Sequence, residues 1–305
     1  MFVVSDDMKN RKAYDGKTFK FGISYNGQDY IVKFAKDDLS VYTEYIASSF
    51  IRALGYSSHV VYMGIYRGQI VSIIKDFTSN TGYTLHSYED TNQSSEDTDI
   101  KDKDYTYADV LDMIRKHTKM SPRDKSAALS SFWDMFILDA ILGNRDRHKG
   151  NWGYVSKGSS YKFAPLYDNG GSLYPGVLRF INQYIDINTR KKFLWDRVYT
   201  VPASVFKIHA KNGRVQKSNY AEIFSDLRVN RVFAERVKLF RSRVQEERVF
   251  SVMMRIVRSS DLNISVALKR FYVEIVTLRY MVIVERKDFD KAYTKLEREL
   301  SKYFG

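Results

Sequence analysis

Residues 142–151 read LGNRDRHKGN, and FAPLYD follows at residues 163–168. Asp146 and Asn151 stand in the pattern D-x-x-x-x-N after an apolar helix, and Asp168 follows a second apolar strand. Phosphoryl transfer from ATP requires one carboxylate to orient the attacking hydroxyl, and an amide and a second carboxylate to hold Mg²⁺ on the phosphates. These two stretches therefore predict a kinase site.

The elements around the first stretch favour this geometry. A helix is predicted to begin at Ser121-Pro122, with a serine N-cap and a proline in the first turn, and to end at Leu142 before Gly143. It would deliver Asp146, the candidate catalytic carboxylate, directly from its carboxyl end.

A short hairpin is predicted from Asn151–Val155 and Tyr161–Ala164. It would place Asn151 and Asp168 on neighbouring strand ends, where both could hold one Mg²⁺ through oxygen, as that ion prefers. His148 lies between the two carboxylates in sequence. We expect it to matter, through a backbone carbonyl or the transferred phosphoryl group, without assigning it proton transfer.

The amino-terminal part predicts two hairpins separated by a helix. Their turn signals are Asn26-Gly27 and Arg67-Gly68, and Gly55 is the helix stop. The predicted segments are Thr18–Phe34, Leu39–Leu54, Val60–Tyr66 and Gln69–Phe77. A kinase small lobe has this order, although any small α+β domain could share it.

Lys33 is the one charged residue in the apolar strand YIVKF. It shares a face with Ile31, so an ionic partner is expected, and Glu44 on the next helix is the natural one. Such a lysine–glutamate pair positions ATP phosphates in kinases. Glu44 could equally be a solvent-exposed helical residue.

The candidate nucleotide-binding residues outside this pair are less specific. Gly16 and Lys17 lie where a phosphate-covering loop is expected, but the G-x-G-x-x-G pattern is absent. Asp76 and Phe77 follow the second hairpin, where a hinge would offer backbone groups to adenine; this placement rests on order alone.

The carboxyl-terminal part predicts a helical bundle, because residues 214–304 contain no glycine or proline and carry apolar residues at helical spacing. From residue 181 onward there are 26 Lys and Arg against 14 Asp and Glu, so this part holds most of the net charge of +13. The charges are scattered, which is typical of a solvated helical surface and gives no strong nucleic-acid signal.

The 305-residue length, with 44% hydrophobic residues and no cysteine, indicates a folded protein without disulfides or thiolate metal sites. We expect an α+β, two-lobed, protein-kinase-like fold, with a small β-rich N-lobe at residues 1–80 and a larger helical C-lobe at residues 81–305. The polar, acidic segment Ser87–Asp104 is expected to be a surface insertion or flexible loop. No signal peptide or transmembrane segment is predicted, so a cytoplasmic location is expected.

The chain resembles the HipA-like kinases, in a short branch of that family. The most specific matching blocks are LGNRDRHKGNWG at residues 142–153, APLYD at 164–168 and GSLYP at 171–175. The resemblance is moderate in the amino-terminal blocks and fades beyond about residue 200.

The resemblance implies an ATP- and Mg²⁺-dependent serine/threonine protein kinase with a HipA/PI3K-like fold and a protein substrate. It carries the catalytic role onto Asp146, the metal roles onto Asn151 and Asp168, and the phosphate-binding role onto Lys33. Autophosphorylation and an effector or toxin role, with export into a host cell left open, would fit such a kinase. HipA toxins have an additional amino-terminal subdomain that engages an antitoxin, whereas this chain begins almost at the phosphate loop, so an antitoxin partner is in doubt.

Two alternatives remain open from the residues alone. Asp146-Arg147-His148-x-x-Asn151 is also the loop of phosphoinositide kinases, and a basic carboxyl-terminal half would suit anionic membranes. A non-catalytic nucleotide-binding module is the other alternative. Degenerate kinases typically lose one of Lys33, Asp146, Asn151 and Asp168, and this chain retains all four.

Overall fold

The computed structural model describes residues 1–14, 18–35, 38–93, 105–200, 204–209, 212–226 and 231–304. The fold is α+β, as predicted, with a five-stranded sheet in the first 75 residues and mostly helices after it. None of the described helices is both long and apolar enough to cross a membrane.

The amino-terminal sheet has the strand order β1-β4-β5-β3-β2, and only the β1–β4 pair is parallel. The strands are β1 (Phe2–Val4), β2 (Lys20–Tyr25), β3 (Gln28–Lys33), β4 (Val61–Tyr66) and β5 (Gln69–Lys75). Both predicted hairpins are confirmed. Their turns place Asn26-Gly27 and Arg67-Gly68 at positive φ, the geometry that matches the twist of the flanking strands.

The predicted helix between the hairpins is α1 (Asp38–Ala53), and Gly55 follows it with a φ of 91°. This helix packs against β4 and β5 and also against the carboxyl-terminal helix at Glu246–Val257. Its buried residues include Ile46 and Phe50, together with the charged Glu44. A charged side chain can stay in this interior only because it has ionic partners there.

A second sheet, three-stranded and antiparallel, lies next to the helical region of the chain. It comprises β6 (Thr84–Ser87), β7 (Gly153–Lys157) and β8 (Ser160–Phe163) in sequence order. The predicted hairpin of β7 and β8 is confirmed, whereas β6 was not predicted. The segment Ser87–Asp104 is also not loop throughout, because it begins with α2 (Tyr88–Gln93); residues 94–104 lie outside the described part of the chain.

The helical region is built around two largely buried helices. The longer one, α4 (Pro122–Leu142), has the predicted bounds: Ser121 Oγ accepts the N–H of Asp124 at 3.1 Å, and Gly143 adopts the left-handed conformation at its end. The other is α10 (Val266–Arg279), which contacts α4. The remaining helices are α3 (Tyr107–Lys116), α5 (Ile181–Ile185), α6 (Ile187–Tyr199), α7 (Tyr220–Asp226), α8 (Arg231–Arg243), α9 (Glu246–Val257) and α11 (Phe289–Phe304).

Two hydrophobic cores result. The smaller one lies on the sheet face away from α1 and includes Ile23, Val32 and Ile73. The larger one joins α1 to the helical region continuously. Because α1 belongs to the larger core, the last residues of β3 face the loop that follows α4. The division at residue 80 stays a prediction.

Candidate active site

The loop after α4 and the segment after β8 lie side by side. The N–H of Leu173 donates to the carbonyl of Leu142 at 2.9 Å, and the N–H of Arg145 donates to the carbonyl of Gly171 at 3.3 Å. Asp146 and Asp168 therefore belong to two adjacent backbone segments. The end of β3, which carries Lys33, lies against the second of them.

Lys33 has two acidic partners. Its ammonium contacts the carboxylate of Asp168 directly and lies 3.5 Å from Oε2 of Glu44. Burial alone would lower the pKa of Lys33, but Glu44 and Asp168 outweigh it and raise that pKa. Lys33 is thus a permanent cation, held by two carboxylates at the inner face of the sheet.

Glu44 is almost fully buried and joins four parts of the chain. Besides Lys33, its Oε1 lies 2.9 Å from Nε2 of His59 and accepts the backbone N–H of Asn169 at 2.8 Å. Burial acts to raise the pKa of Glu44, but Lys33, His59 and the Asn169 N–H together lower it. The alternative of an exposed helical Glu44 is excluded. No sequence pattern pointed to His59, which lies before β4 and is buried beside Ser48.

Asp146 is exposed, while the backbone that carries it is fixed from below. Its N–H donates to Oδ1 of Asn144 at 2.9 Å, and Nδ2 of Asn144 donates to Oδ1 of Asp139 at 3.1 Å. The hydroxyl of Tyr220 donates to the Asn144 carbonyl at 2.6 Å. The carboxylate of Asp146 therefore projects into solvent from a rigid turn.

Asn151 is buried beside this turn. Its Nδ2 donates to the Asp146 carbonyl at 2.6 Å, which leaves its amide oxygen for another ligand. The backbone N–H of Asn151 donates to the carbonyl of His148 at 2.9 Å. His148 itself is exposed, and its Nδ1 accepts the N–H of Gly150 at 3.1 Å. The ring of His148 thus shapes the loop locally.

Arg147 lies within the same loop but is fully buried. It forms a bidentate pair with Asp139, at 2.8 Å and 2.9 Å, and donates to the carbonyls of Asn151 at 2.8 Å and Tyr167 at 2.6 Å. Burial alone would lower the pKa of Arg147, but the Asp139 carboxylate raises it. This arginine therefore ties the two candidate metal-binding segments together.

Arg147 was not predicted as a site residue from the sequence. A usable signal was present, since Asp139 interrupts an apolar helix and a buried carboxylate requires a cationic partner. The sequence did not show which of the nearby basic residues would supply that partner.

Asp168 has a φ of 53°, in the left-handed region, and its side chain is 38% exposed. The next residues approach the rest of the site closely. A side chain at Gly170 would place Cβ 2.9 Å from the Glu44 carboxylate, and one at Gly171 would place Cβ 2.6 Å from the Cβ of Asp146. Glycine at both positions lets this segment pack against Glu44 and Asp146.

Of the remaining candidate nucleotide-binding residues, two lie outside the described part of the chain and two can be placed. Gly16 and Lys17 lie outside the described residues. The N–H of Asp76 donates to the Asp29 carbonyl at 3.0 Å, and the Asp76 carbonyl accepts Nε2 of Gln28 at 3.1 Å. Phe77 lies with its ring centroid 6.3 Å from that of Tyr167. Contact of Asp76 and Phe77 with adenine stays a prediction.

The carboxylate of Asp76 anchors the segment that leads into the predicted phosphate loop. It accepts the hydroxyl of Tyr14 at 3.0 Å and lies 3.4 Å from Nζ of Lys12, which also pairs with Asp29 at 2.6 Å. Residues 12–14 are thereby fixed against the end of β5.

The chain is similar to known proteins over much of its length. Residues 12–232 match the family model described as HipA-like C-terminal domain. The chain is 30% identical over 213 residues to the serine/threonine-protein kinase CtkA of Helicobacter pylori strain J99, covering 66% of this chain and 64% of that protein. The match thus spans less than two thirds of the relative's length.

Two solved structures can be compared over most of the chain. The crystal structure of the Helicobacter pylori proinflammatory kinase CtkA superposes with a TM-score of 0.79, at 25% identity and with 98% of both chains covered. HipA of Shewanella oneidensis MR-1, in its complex with HipB and operator DNA, gives a TM-score of 0.45 at 14% identity, covering 94% of this chain and 70% of that one.

Proposed function

The chain belongs to the family of HipA-like C-terminal domains, and from this we propose that it is an ATP- and Mg²⁺-dependent serine/threonine protein kinase. It would transfer the γ-phosphoryl group of ATP to hydroxyls of a protein substrate, and to its own hydroxyls as well. The name of the relative CtkA, a serine/threonine-protein kinase, supports the choice of a protein as acceptor.

One observation carries the proposal. The ion pair of Lys33 with Asp168, the contact of Asn151 with the Asp146 backbone, and the Arg147 bonds to both segments bring the four candidate residues together. These are the residue types that phosphoryl transfer requires, one cation for phosphate, one amide and two carboxylates. The four residues come from three separate segments of the chain, and their meeting at one place supports a shared role.

The donor set suits Mg²⁺. Among the described residues there is no group of three or more His, Cys, Asp or Glu side chains that could hold a metal alone. Mg²⁺ with nucleotide needs only one or two carboxylates, because phosphates and water complete its coordination. Asp168 and the amide oxygen of Asn151 would hold the metal, and bound Mg²⁺·ATP supplies the reactive phosphoryl group and neutralises its charge.

The chain's own residues have distinct proposed roles. Asp146 accepts or orients the proton of the attacking hydroxyl, because its exposed carboxylate projects from a fixed turn. Lys33, held by Glu44, binds phosphate oxygens. His148 acts through the shape of the loop, by its bond with the Gly150 N–H.

The rest of the nucleotide site is proposed from chain order. Gly16 and Lys17 would cover the phosphates, and Asp76 and Phe77 would border the adenine. Among the described residues, the N–H of Phe77 forms no hydrogen bond, which suits contact with the base. The N-lobe of residues 1–80 and the C-lobe of residues 81–305 would enclose the nucleotide between them.

The test is transfer of labelled γ-phosphate from ATP·Mg²⁺ to three acceptors: the protein itself, a basic protein and phosphoinositide vesicles. Asp146→Asn and Asp168→Ala remove the proposed carboxylates, and Asp112→Asn, at an exposed ion pair on α3, is the matched control. Label on protein serine or threonine that only the first two variants abolish is the expected result. Label on lipid alone would overturn the choice of acceptor, and absence of all transfer would overturn the kinase assignment.

A further inference from the structure

Asn169, the residue after Asp168, is fully buried. Its backbone N–H, its Nδ2 and its Oδ1 each form a hydrogen bond. Asparagine is rare in such surroundings unless its amide is satisfied on both sides. The partners of Asn169 come from two directions, from α1 and from the loop after α4.

Towards α1, Asn169 makes three contacts. Its backbone N–H donates to Oε1 of Glu44 at 2.8 Å, and its Nδ2 lies 2.9 Å from Oγ of Ser48 and 3.2 Å from Oγ of Ser58. Ser58 in turn donates to the carbonyl of Leu166 at 2.8 Å. The residue after Asp168 is therefore fixed to the helix that carries the lysine-binding glutamate.

Towards the loop after α4, the contact is with Arg147. Nη2 of this arginine donates to Oδ1 of Asn169 at 2.7 Å, while Nη1 donates to the carbonyls of Asn151 and Tyr167. One guanidinium therefore holds the backbone at Asn151 and the two residues that flank Asp168.

We propose that Asn169 is a positioning residue for a divalent cation site, which fixes the segment that carries Asp168 to the loop that carries Asn151 and links both to Glu44. This inference rests on the proposed function of the site. Asn169 suits the role because its amide offers an acceptor to Arg147 and a donor to the serine hydroxyls from one planar group.

The backbone of Asp168 gives the physical reason why such a residue is needed. A non-glycine residue at a φ of 53° is strained, and the conformation persists only where neighbouring contacts impose it. Tyr167, before Asp168, is held through its carbonyl by Arg147, and Asn169, after it, is held on both sides. Without the Asn169 amide, the backbone of Asp168 would be held from one side only, so its carboxylate would be less firmly positioned for a metal.

The decisive measurement is Mn²⁺ binding, followed by electron paramagnetic resonance in the presence of a non-hydrolysable ATP analogue. Asn169→Ala is expected to raise the Mn²⁺ dissociation constant by about 10-fold to 100-fold, the range found for residues that orient metal ligands. Binding of the same analogue without metal should change by less than about twofold, because the backbone N–H that holds Glu44 remains. The turnover number should fall, with little change in the KM for ATP.

Two further variants separate positioning from general stability. Ser48→Ala removes one acceptor of the Asn169 amide and should weaken Mn²⁺ binding in the same direction but less, which provides a test if Asn169→Ala fails to fold. Tyr184→Phe removes a buried hydrogen bond to Glu274, and neither residue is among the hydrogen-bond partners of Asn169. It should lower the melting temperature without changing Mn²⁺ affinity.

Unchanged Mn²⁺ affinity in folded Asn169→Ala and Ser48→Ala protein would overturn the inference. A loss that Tyr184→Phe reproduces would also overturn it, because the role would then be structural only. The proposed function fails separately: wild-type protein whose Mn²⁺ binding depends on Asn169, but that transfers no phosphate, would leave the positioning role standing.

Discussion

Lys33 and Asp168 form a direct ion pair, although 135 residues separate them in sequence. The pair joins the end of β3 to the segment after β8, and Glu44 lies 3.5 Å from the same ammonium. The lysine thus neutralises the carboxylate that we propose as a metal ligand. Lys33 and a divalent cation would compete for Asp168.

Lys33→Met is expected to lower phosphoryl transfer by about 10²-fold to 10³-fold, the usual cost of removing one group that stabilises transition-state charge. In nucleotide-free protein, Lys33→Met should instead tighten Mn²⁺ binding, because Asp168 loses the cation that competes with the metal. Radiometric transfer and Mn²⁺ titration check the two parts. Lys192→Met, at an exposed position on α6, is the control and should change neither. Weaker metal binding in Lys33→Met would contradict the competition.

Arg147→Ala should destabilise the fold by about 3–5 kcal/mol, because the carboxylate of Asp139 would remain buried without its partner. The double variant Arg147→Met with Asp139→Leu should recover much of that loss, since no charge is then buried. It should not recover phosphoryl transfer, because the carbonyls of Asn151 and Tyr167 would still lack their donor. Urea unfolding and transfer assays on the same preparations check both statements, and recovery of activity in the double variant would refute the second.

The local elements around the cleft could be predicted because their signals lie within a few residues. Asn26-Gly27 and Arg67-Gly68 specify tight hairpins by their positive φ, and Ser121 with Gly143 specifies the bounds of α4. Strand β1 had no such signal, because its three residues pair in parallel with β4 from a distant part of the sequence. Strand β6 was missed for the same reason, since its partner β7 lies beyond α4.

The sequence could not predict which site residues are exposed and which are buried. Asp146, Arg147 and His148 are consecutive polar residues, yet only Arg147 points into the core, where Asp139 receives it. Likewise, the pattern that suggested Glu44 as a partner for Lys33 gave no indication of His59 or Asn169. Such contacts depend on how α1 packs against the loop, which is a property of the tertiary structure.

Glu274 on α10 predicts how stability depends on pH. Burial, together with the neighbouring carboxylate of Glu297, raises the pKa of Glu274 to about 8, and the hydroxyl of Tyr184 donates to it at 2.7 Å. The folded protein therefore keeps a proton on Glu274 that the unfolded chain releases near its ordinary pKa of 4.5. Stability should fall as pH rises from about 4.5 to about 8, by at most about 1.4 kcal/mol per pH unit.

Glu274→Gln should remove this slope and raise the free energy of unfolding at pH 7.5, because the amide is neutral in both states and folding no longer requires the uptake of a proton. Burial acts to raise the pKa of Glu297, but Glu274 and Arg270 outweigh it and lower that pKa. Glu297 therefore contributes to the pH dependence of stability only in more acidic solution. Denaturant unfolding at several pH values is the measurement, and Glu299→Gln, whose side chain on α11 is 46% exposed, is the control. An unchanged slope in Glu274→Gln would show that other groups set the pH dependence.

Gly171→Ala tests whether the close approach of two backbone segments fixes the position of Asp146. The added Cβ would lie 2.6 Å from Cβ of Asp146 and 2.9 Å from Oδ1 of Asn144, so the turn that carries the carboxylate must shift. A displacement on the order of 1 Å can cost about 10²-fold in rate, and we expect the turnover number to fall by about that factor. Gly176→Ala is a matched control, because nothing lies within 4 Å of its added Cβ; it should keep full activity. Equal activities of the two variants, measured as labelled phosphate transfer at temperatures well below unfolding, would show that Asp146 tolerates the shift and is not the group that orients the hydroxyl.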